Sequence, residues 1–331
     1  MPLPTRARLL RRAAPAILAA AFFTNGLIND AWATSCPAEH FDDFTKSFIQ
    51  NTKTRQAYIQ KPLTLQRVVV QGDQASVTSN KASDPTREVE RLLALQKSNE
   101  LNVEVNSPDR ITLRDNKGEF LIILLFERTN CWELKKIEDW SLGQQLPTDN
   151  TNDPAAVAVK RGNLYDRLAV ETPSNSLVAL YASALDSYLY GANLGSAKAA
   201  YLAAGISLSG QAPRLHNTLI QSLLETASHS DPDAALTLAS FYCDEGEYSA
   251  PRLCLNPEKS MEALRSSARL GASAALVELG SAYAAGKIVE RDAQRALACY
   301  QEAKAMGVHG LQPSIEALRA AGVEPNNIHC L

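Results

Sequence analysis

Apolar residues recur at helical spacing at Phe41, Phe44 and Phe48, which predicts a helix with one buried face. Residues 55–60 predict a second short helical turn, and 63–70 reads as a strand. Asp84-Pro85 opens another helix with Val89, Leu92 and Leu93 on one side. Alternating stretches follow at 101–105 and 111–113, then a turn over 115–118, a long run over 119–128 and a last strand over 131–137. Two helices, a strand, a helix and four strands predict an α+β unit over 34–142, a curved antiparallel sheet wrapped on helices. The run from Phe120 to Phe126 is apolar at every position, so both of its faces need cover. An interior place in a well-covered sheet supplies that, as would the second half of the chain, a second copy or a ligand. A polar stretch over 143–153 reads as a linker. Beyond it the period changes to that of helices, through Val157, Leu164 and Leu168 and then Leu177, Leu180, Tyr181, Ala184, Leu185, Tyr188 and Leu189. Residues 154–331 predict an all-α region.

That region repeats itself. Leu238, Ala239 and Tyr242 stand 41 residues before Leu279, Gly280 and Tyr283, and Tyr201 stands a further 41 before Tyr242. In the partner helices, Asn256, Lys259, Ser260, Ala263, Ala268 and Gly271 precede Asp292, Arg295, Ala296, Cys299, Lys304 and Gly307 by 36. Gly280 and the alanines let two helices approach closely, while Leu279 and Tyr283 share one face. Asn256 and Asp292 are placed as N-caps, Pro257 suits a first turn, and Gly271 and Gly307 suit left-handed helix stops. The order Leu279-Gly280, Tyr283, Gly286, Asp292, Arg295-Ala296, Tyr300, Ala303, Gly307 resembles the Sel-1-like repeat, a relative of the tetratricopeptide repeat. Tyr242, Gly280, Tyr283, Ala296 and Gly307 carry the resemblance. It implies two-helix units stacked into a solenoid, a non-enzymatic adaptor or scaffold whose first-helix surface holds a protein or peptide. Thr237 and Ser240, with their equivalents Glu278 and Ser281, are the candidate binding positions. The helices before residue 190 lack these residues and read as the starting cap. The N-terminal element order, the phenylalanine stripe and the closing Trp132, Leu134 and Ile137 resemble the nuclear transport factor two-like cone, with a cystatin-like helix-on-sheet fold as the alternative. The cone implies a pocket used for catalysis or for docking.

Four arginines before an apolar stretch at 13–23, with Ala31-Trp32-Ala33 after it, predict a signal peptide over 1–33 and a periplasmic or secreted protein. The formal charge is −3, and losing those arginines makes the remainder more acidic, which argues against nucleic acid or an anionic membrane surface as partner. No later stretch is long enough to span a membrane, so no insertion is expected after cleavage. All six cysteines lie beyond residue 33, and an even number in an exported chain favours disulfides. Cys243 and Cys254 bracket one inter-helix loop. Cys330 is placed to fold back on Cys299, which leaves Cys36 for Cys131. No CxxC pair or ligand-spaced histidine points to a metal, and no cofactor motif occurs. Asp139 beside Trp140, and the Asp42–Asp43 pair, are the candidates for acid–base work. They keep a small hydrolase or lyase in the cone as a second reading, beside a cell-envelope glycan binder.

Overall fold

The computed structural model describes residues 36–98, 101–106, 108–146, 153–172, 175–247, 253–324 and 327–331; the expected signal peptide, 1–33, and residues 147–152 of the expected linker lie outside them. The first half runs α1 (Phe41–Gln50), α2 (Thr52–Ala57), β1 (Ile59–Gln71), β2 (Gln74–Lys81), α3 (Pro85–Ser98), β3 (Asn102–Asn106), β4 (Arg110–Arg114), β5 (Leu121–Arg128) and β6 (Trp132–Asp139). One six-stranded sheet has the order β2-β1-β6-β5-β4-β3. Its neighbours are antiparallel except β1 and β6, which run parallel, so the expectation of a wholly antiparallel sheet is corrected. The cause is topological: β2 already occupies one edge of β1 through a hairpin, and β6 returns to the other. β2 itself was not expected, because its polar side chains are mostly exposed and leave no apolar alternation to read.

One face of the sheet and the helices α1 and α3 enclose a first core. Phe41, Phe44, Phe48, Val89 and Leu92 pack there with Ile122, Leu124, Phe126, Leu134 and Ile137. Alternation sends Leu121 and Ile123 of the same strand to the opposite face, where they join Val68 and Trp140 in a second core shared with the helical half. Burying each such side chain contributes about 1.5–3 kcal/mol.

The second half runs α4 (Pro154–Glu171), α5 (Leu177–Asn193), α6 (Ala197–Leu208), α7 (Asn217–Ser228), α8 (Pro232–Asp244), α9 (Pro257–Arg269), α10 (Ser273–Ala285), α11 (Ala293–Ala305) and α12 (Gln312–Ala320). Each helix packs against the next in sequence. Asp153, Ser196, Asp231 and Asp292 accept hydrogen bonds from first-turn N–H groups. Asn256 holds the N-cap position but makes no side-chain bond to its helix. The ends of α5, α9 and α11 share one motif. Gly195, Gly271 and Gly307 take φ of 94°, 98° and 92°, and the following N–H reaches back to Gly191, Ser267 and Ala303 respectively. α8 instead stops on Glu245 at φ 53°, a conformation held by Arg214 donating to its carbonyl (2.6 Å) and Asn217 donating to its carboxylate (2.9 Å).

Residues Cys36–Leu331 form one compact unit. The β4–β5 turn seats on α5 through Gly118 (φ 69°), where an added Cβ would lie 2.0 Å from the Ser187 hydroxyl oxygen. Arg161 of α4 donates to the Lys117 carbonyl at 2.9 Å, and the Tyr165 hydroxyl donates to the Trp140 carbonyl at 3.0 Å. Gln145 bonds the β1 backbone at Val68 and Val70. Three disulfides join Cys36 to Cys131, Cys243 to Cys254 and Cys299 to Cys330.

Candidate functional site

In α6, α8 and α10 the helix starts set a common register. Counting from the caps Ser196, Asp231 and Ala272, Ala204 of α6 stands where α8 has Ala239 and α10 has Gly280. Three residues on come Ser207, Tyr242 and Tyr283, all buried. Matching Tyr201 with Tyr242 is therefore corrected: Tyr201 lies in the first half of α6 and corresponds to Leu236. The first hairpin belongs to the same series, although no repeat residues were expected in it. Gly162 stands nine residues after the cap Asp153, one more than Gly280 after Ala272, but Gly162 and Tyr165 of α4 have the Gly280–Tyr283 spacing, and in each case a tyrosine of the following helix covers the glycine. A Cβ on Gly162 would lie 2.3 Å from the Tyr188 ring, and one on Gly280 would lie 2.6 Å from the Tyr300 ring.

In this register the candidate binding positions are the residues two before and one after the close-approach residue. They are Lys160 and Asn163 on α4, Leu202 and Gly205 on α6, Thr237 and Ser240 on α8, and Glu278 and Ser281 on α10. All eight are exposed or half-buried, while the residues that hold the helices together beside them are buried. The Thr237 hydroxyl donates back to the Asp233 carbonyl at 2.8 Å, and Ser281 is hydrogen-bonded to the Tyr300 hydroxyl at 3.2 Å. No described hydrogen bond or ion pair joins the α8 positions to those on α10.

A cation stands over each of three first-helix tyrosines: Lys198 over Tyr201, Lys259 over Tyr242 and Arg295 over Tyr283. Burial drives the Tyr283 phenol up, but hydrogen bonds from Arg265 and Arg295 outweigh it and hold the group below its ordinary value. Tyr242 is pushed up to about 12, first by burial and then by donating to Glu225 at 2.8 Å.

The aromatic stripe of α1 fills its end of the sheet cavity. Phe44 and Phe48 are fully buried, with Phe126 within 5.7 Å and 5.1 Å of their ring centres, and Phe41 stacks edge-on to Trp132 at 4.9 Å. At the α3 end a recess of about 170 Å³ holds Arg67, Arg91 and Asp139. Glu88 of α3 takes hydrogen bonds from Arg67 (2.6 Å) and Arg91 (2.8 Å), so two cations converge on one carboxylate. Burial would raise the Glu88 carboxyl, but the two guanidinium groups hold it below its usual value. Asp139 accepts from the Ser141 N–H at 3.2 Å, while Trp140 turns to the other sheet face, as strand alternation requires. Asp42 and Asp43 sit exposed on α1, with Asp43 paired to Lys46. Among the described residues no hydrogen bond or ion pair joins them to Asp139. Among the described residues no group of three or more His, Cys, Asp or Glu side chains is placed to hold a metal ion.

No protein-family model and no curated protein matches the chain. Among solved structures it is similar to a Sel1 repeat protein from Oxalobacter formigenes, at 19% identity and TM-score 0.44 over 54% of this chain and 70% of that one. It is also similar to c5321, a protective antigen present in uropathogenic Escherichia coli strains that displays an SLR fold. That match has 19% identity and TM-score 0.45, and covers 55% of this chain and 37% of the antigen.

Proposed function

We propose that this protein is an exported, non-enzymatic scaffold that holds a peptide segment of another protein across successive first helices. One observation carries the reading: the same two positions stay exposed or half-buried on α6, α8 and α10 while their neighbours are fixed in the core, and on α4 Asn163 is exposed and Lys160 pairs with Asp73. A periodic surface of this kind offers small side chains (Asn163, Gly205, Ser240, Ser281) at a constant place, leaving room for a bound backbone. Three disulfides support an oxidising compartment, and among the described residues no helix is long and apolar enough to cross a membrane. In the first half, the strand order and helix placement support a nuclear transport factor two-like cone. Its interior is occupied by Phe44, Phe48 and Phe126, which favours support over chemistry.

Photocrosslinking in the native host tests the scaffold. Ser240→p-benzoylphenylalanine and Glu278→p-benzoylphenylalanine are expected to trap one common partner, and Val77→p-benzoylphenylalanine on β2 is expected to trap none. Trapping from β2 alone, with silent helix positions, would move the function to the first half of the chain.

A further inference from the structure

Between α4, α5 and α6 lies a recess of about 210 Å³. Its walls are Tyr188, Tyr201, Leu202, Gly205 and Ile206, and its one charge is Asp166. Asp166 is half-buried and has no hydrogen bond or ion pair among the described residues. Burial alone pushes its carboxyl above the ordinary value, with no cation of the protein acting against that. Of the other polar groups, the Tyr201 hydroxyl has no hydrogen bond among the described residues, and the rest are committed. The Tyr188 hydroxyl donates to Asn163 at 2.9 Å, Ser209 donates to Gln211 at 3.0 Å, and Gln211 donates to Tyr181 at 3.2 Å. The site therefore presents an unmatched anion, partly withdrawn from water, beside two aromatic rings and two aliphatic side chains.

Only one kind of side chain meets all of these surfaces. A lysine or arginine lays its methylenes on Leu202, Ile206 and the rings, and brings its cation to the carboxylate. The rings favour the same charge, as the Lys198 ammonium 5.3 Å from the Tyr201 ring centre shows. Gly205 keeps the recess open. A Cβ there would meet nothing within 4 Å, so helix packing does not demand glycine, whereas a long side chain would fill the space.

We propose that this recess takes the side chain of a lysine or arginine carried by a peptide lying on the first-helix surface. The proposal rests on the scaffold reading and specifies one position of the bound segment, because Leu202 and Gly205 are the α6 members of the exposed series. The test is an NMR titration of the full disulfide-bonded chain, following the backbone amides of Leu202, Gly205 and Ile206. The probes are capped five-residue alanine peptides with a central lysine, arginine, norleucine or glutamate. The lysine and arginine peptides are expected to shift those amides, with norleucine about tenfold weaker or more and glutamate silent. Asp166→Asn is expected to erase the preference for lysine over norleucine, and Gly205→Lys to abolish binding by filling the recess. Equal binding of norleucine and lysine, or an unchanged preference in Asp166→Asn, overturns the proposal. Thermal melts check both variants; should Asp166→Asn fail to fold, retained lysine-peptide binding by Gly205→Lys overturns it instead. Crosslinks at 240 and 278 without a lysine preference would leave the scaffold standing and remove the recess; lysine binding without those crosslinks would do the reverse.

Discussion

Three glycines inside helices should answer the same substitution in opposite ways. Replacing glycine by alanine in a helix interior gains about 1 kcal/mol of intrinsic helix propensity. At Gly205 nothing lies within 4 Å of the new methyl, so Gly205→Ala should stabilise the protein by about 0.5–1 kcal/mol. At Gly280 the methyl would meet three Tyr300 ring carbons at 2.6, 2.8 and 3.0 Å, inside any normal contact. Tyr300 is 6% exposed and hydrogen-bonded to Ser281, so the ring cannot swing into water without losing both burial and that bond. Overpacking of this kind costs about 1–3 kcal/mol, which exceeds the propensity gain. Gly280→Ala should therefore lose about 1 kcal/mol net, and Gly162→Ala more, since its closest Tyr188 ring carbon is at 2.3 Å. Tyr300→Leu alone opens a void, but combined with Gly280→Ala it should recover part of the loss, giving a coupling energy of about 1 kcal/mol. Urea denaturation of the full oxidised chain, read by circular dichroism, measures all five variants. If Gly280→Ala proves as stabilising as Gly205→Ala, tyrosine over glycine is not what draws these helices together.

Intact protein treated with an alkylating reagent in denaturant without reductant should gain no label; mass measurement showing two or more labelled cysteines refutes the three pairings. By loop size, removing Cys36–Cys131 (separation 95) should cost about 5 kcal/mol and removing Cys243–Cys254 (separation 11) about 3 kcal/mol, read from denaturation of the paired serine variants. Burial pushes the Asp186 carboxyl up to about 6, although Arg114 pairs with it. Arg114 is itself raised despite burial, because Asp186 and Glu104 both serve it; Asp186 has that one cation and is repelled by Asp115 and Glu104, so its own direction is upward. The folded state then binds this proton more tightly than the unfolded chain. Its stabilising contribution is complete below about pH 4 and is lost as pH rises through about 6. Wild type should therefore gain stability relative to Asp186→Asn between pH 7.5 and 5 in urea melts, and a gap independent of pH refutes the shift.

What could be read from the sequence was what repeats or is spaced by a simple rule. Gly280 and Tyr283 announced their hairpin, the phenylalanines of α1 their shared face, and Cys243 and Cys254 the loop they close. β2 was invisible because an edge strand whose side chains are mostly exposed has no apolar period. The α4–α5 hairpin escaped because the tyrosine covering its glycine lies 26 residues on, at Tyr188, against 20 for Gly280 and Tyr300. Tyr201 misled by identity: the cap at Ser196 fixes the start of α6, and the start sets the register. The second face of β5 was legible as needing cover, but the choice among covers depended on contacts far apart in sequence. Asp166 gave no signal at all, since its surroundings come from three helices.

The shared core beneath β5 decides how the hairpins can come apart. A linear series of packed units unravels from its least secured end. Here the first unit cannot peel away without stripping Leu121, Ile123 and Trp140 of their cover and breaking the Tyr165 bond to the sheet. Loosening therefore starts away from the sheet and travels toward it, and α4 and α5 are the last helices to let go.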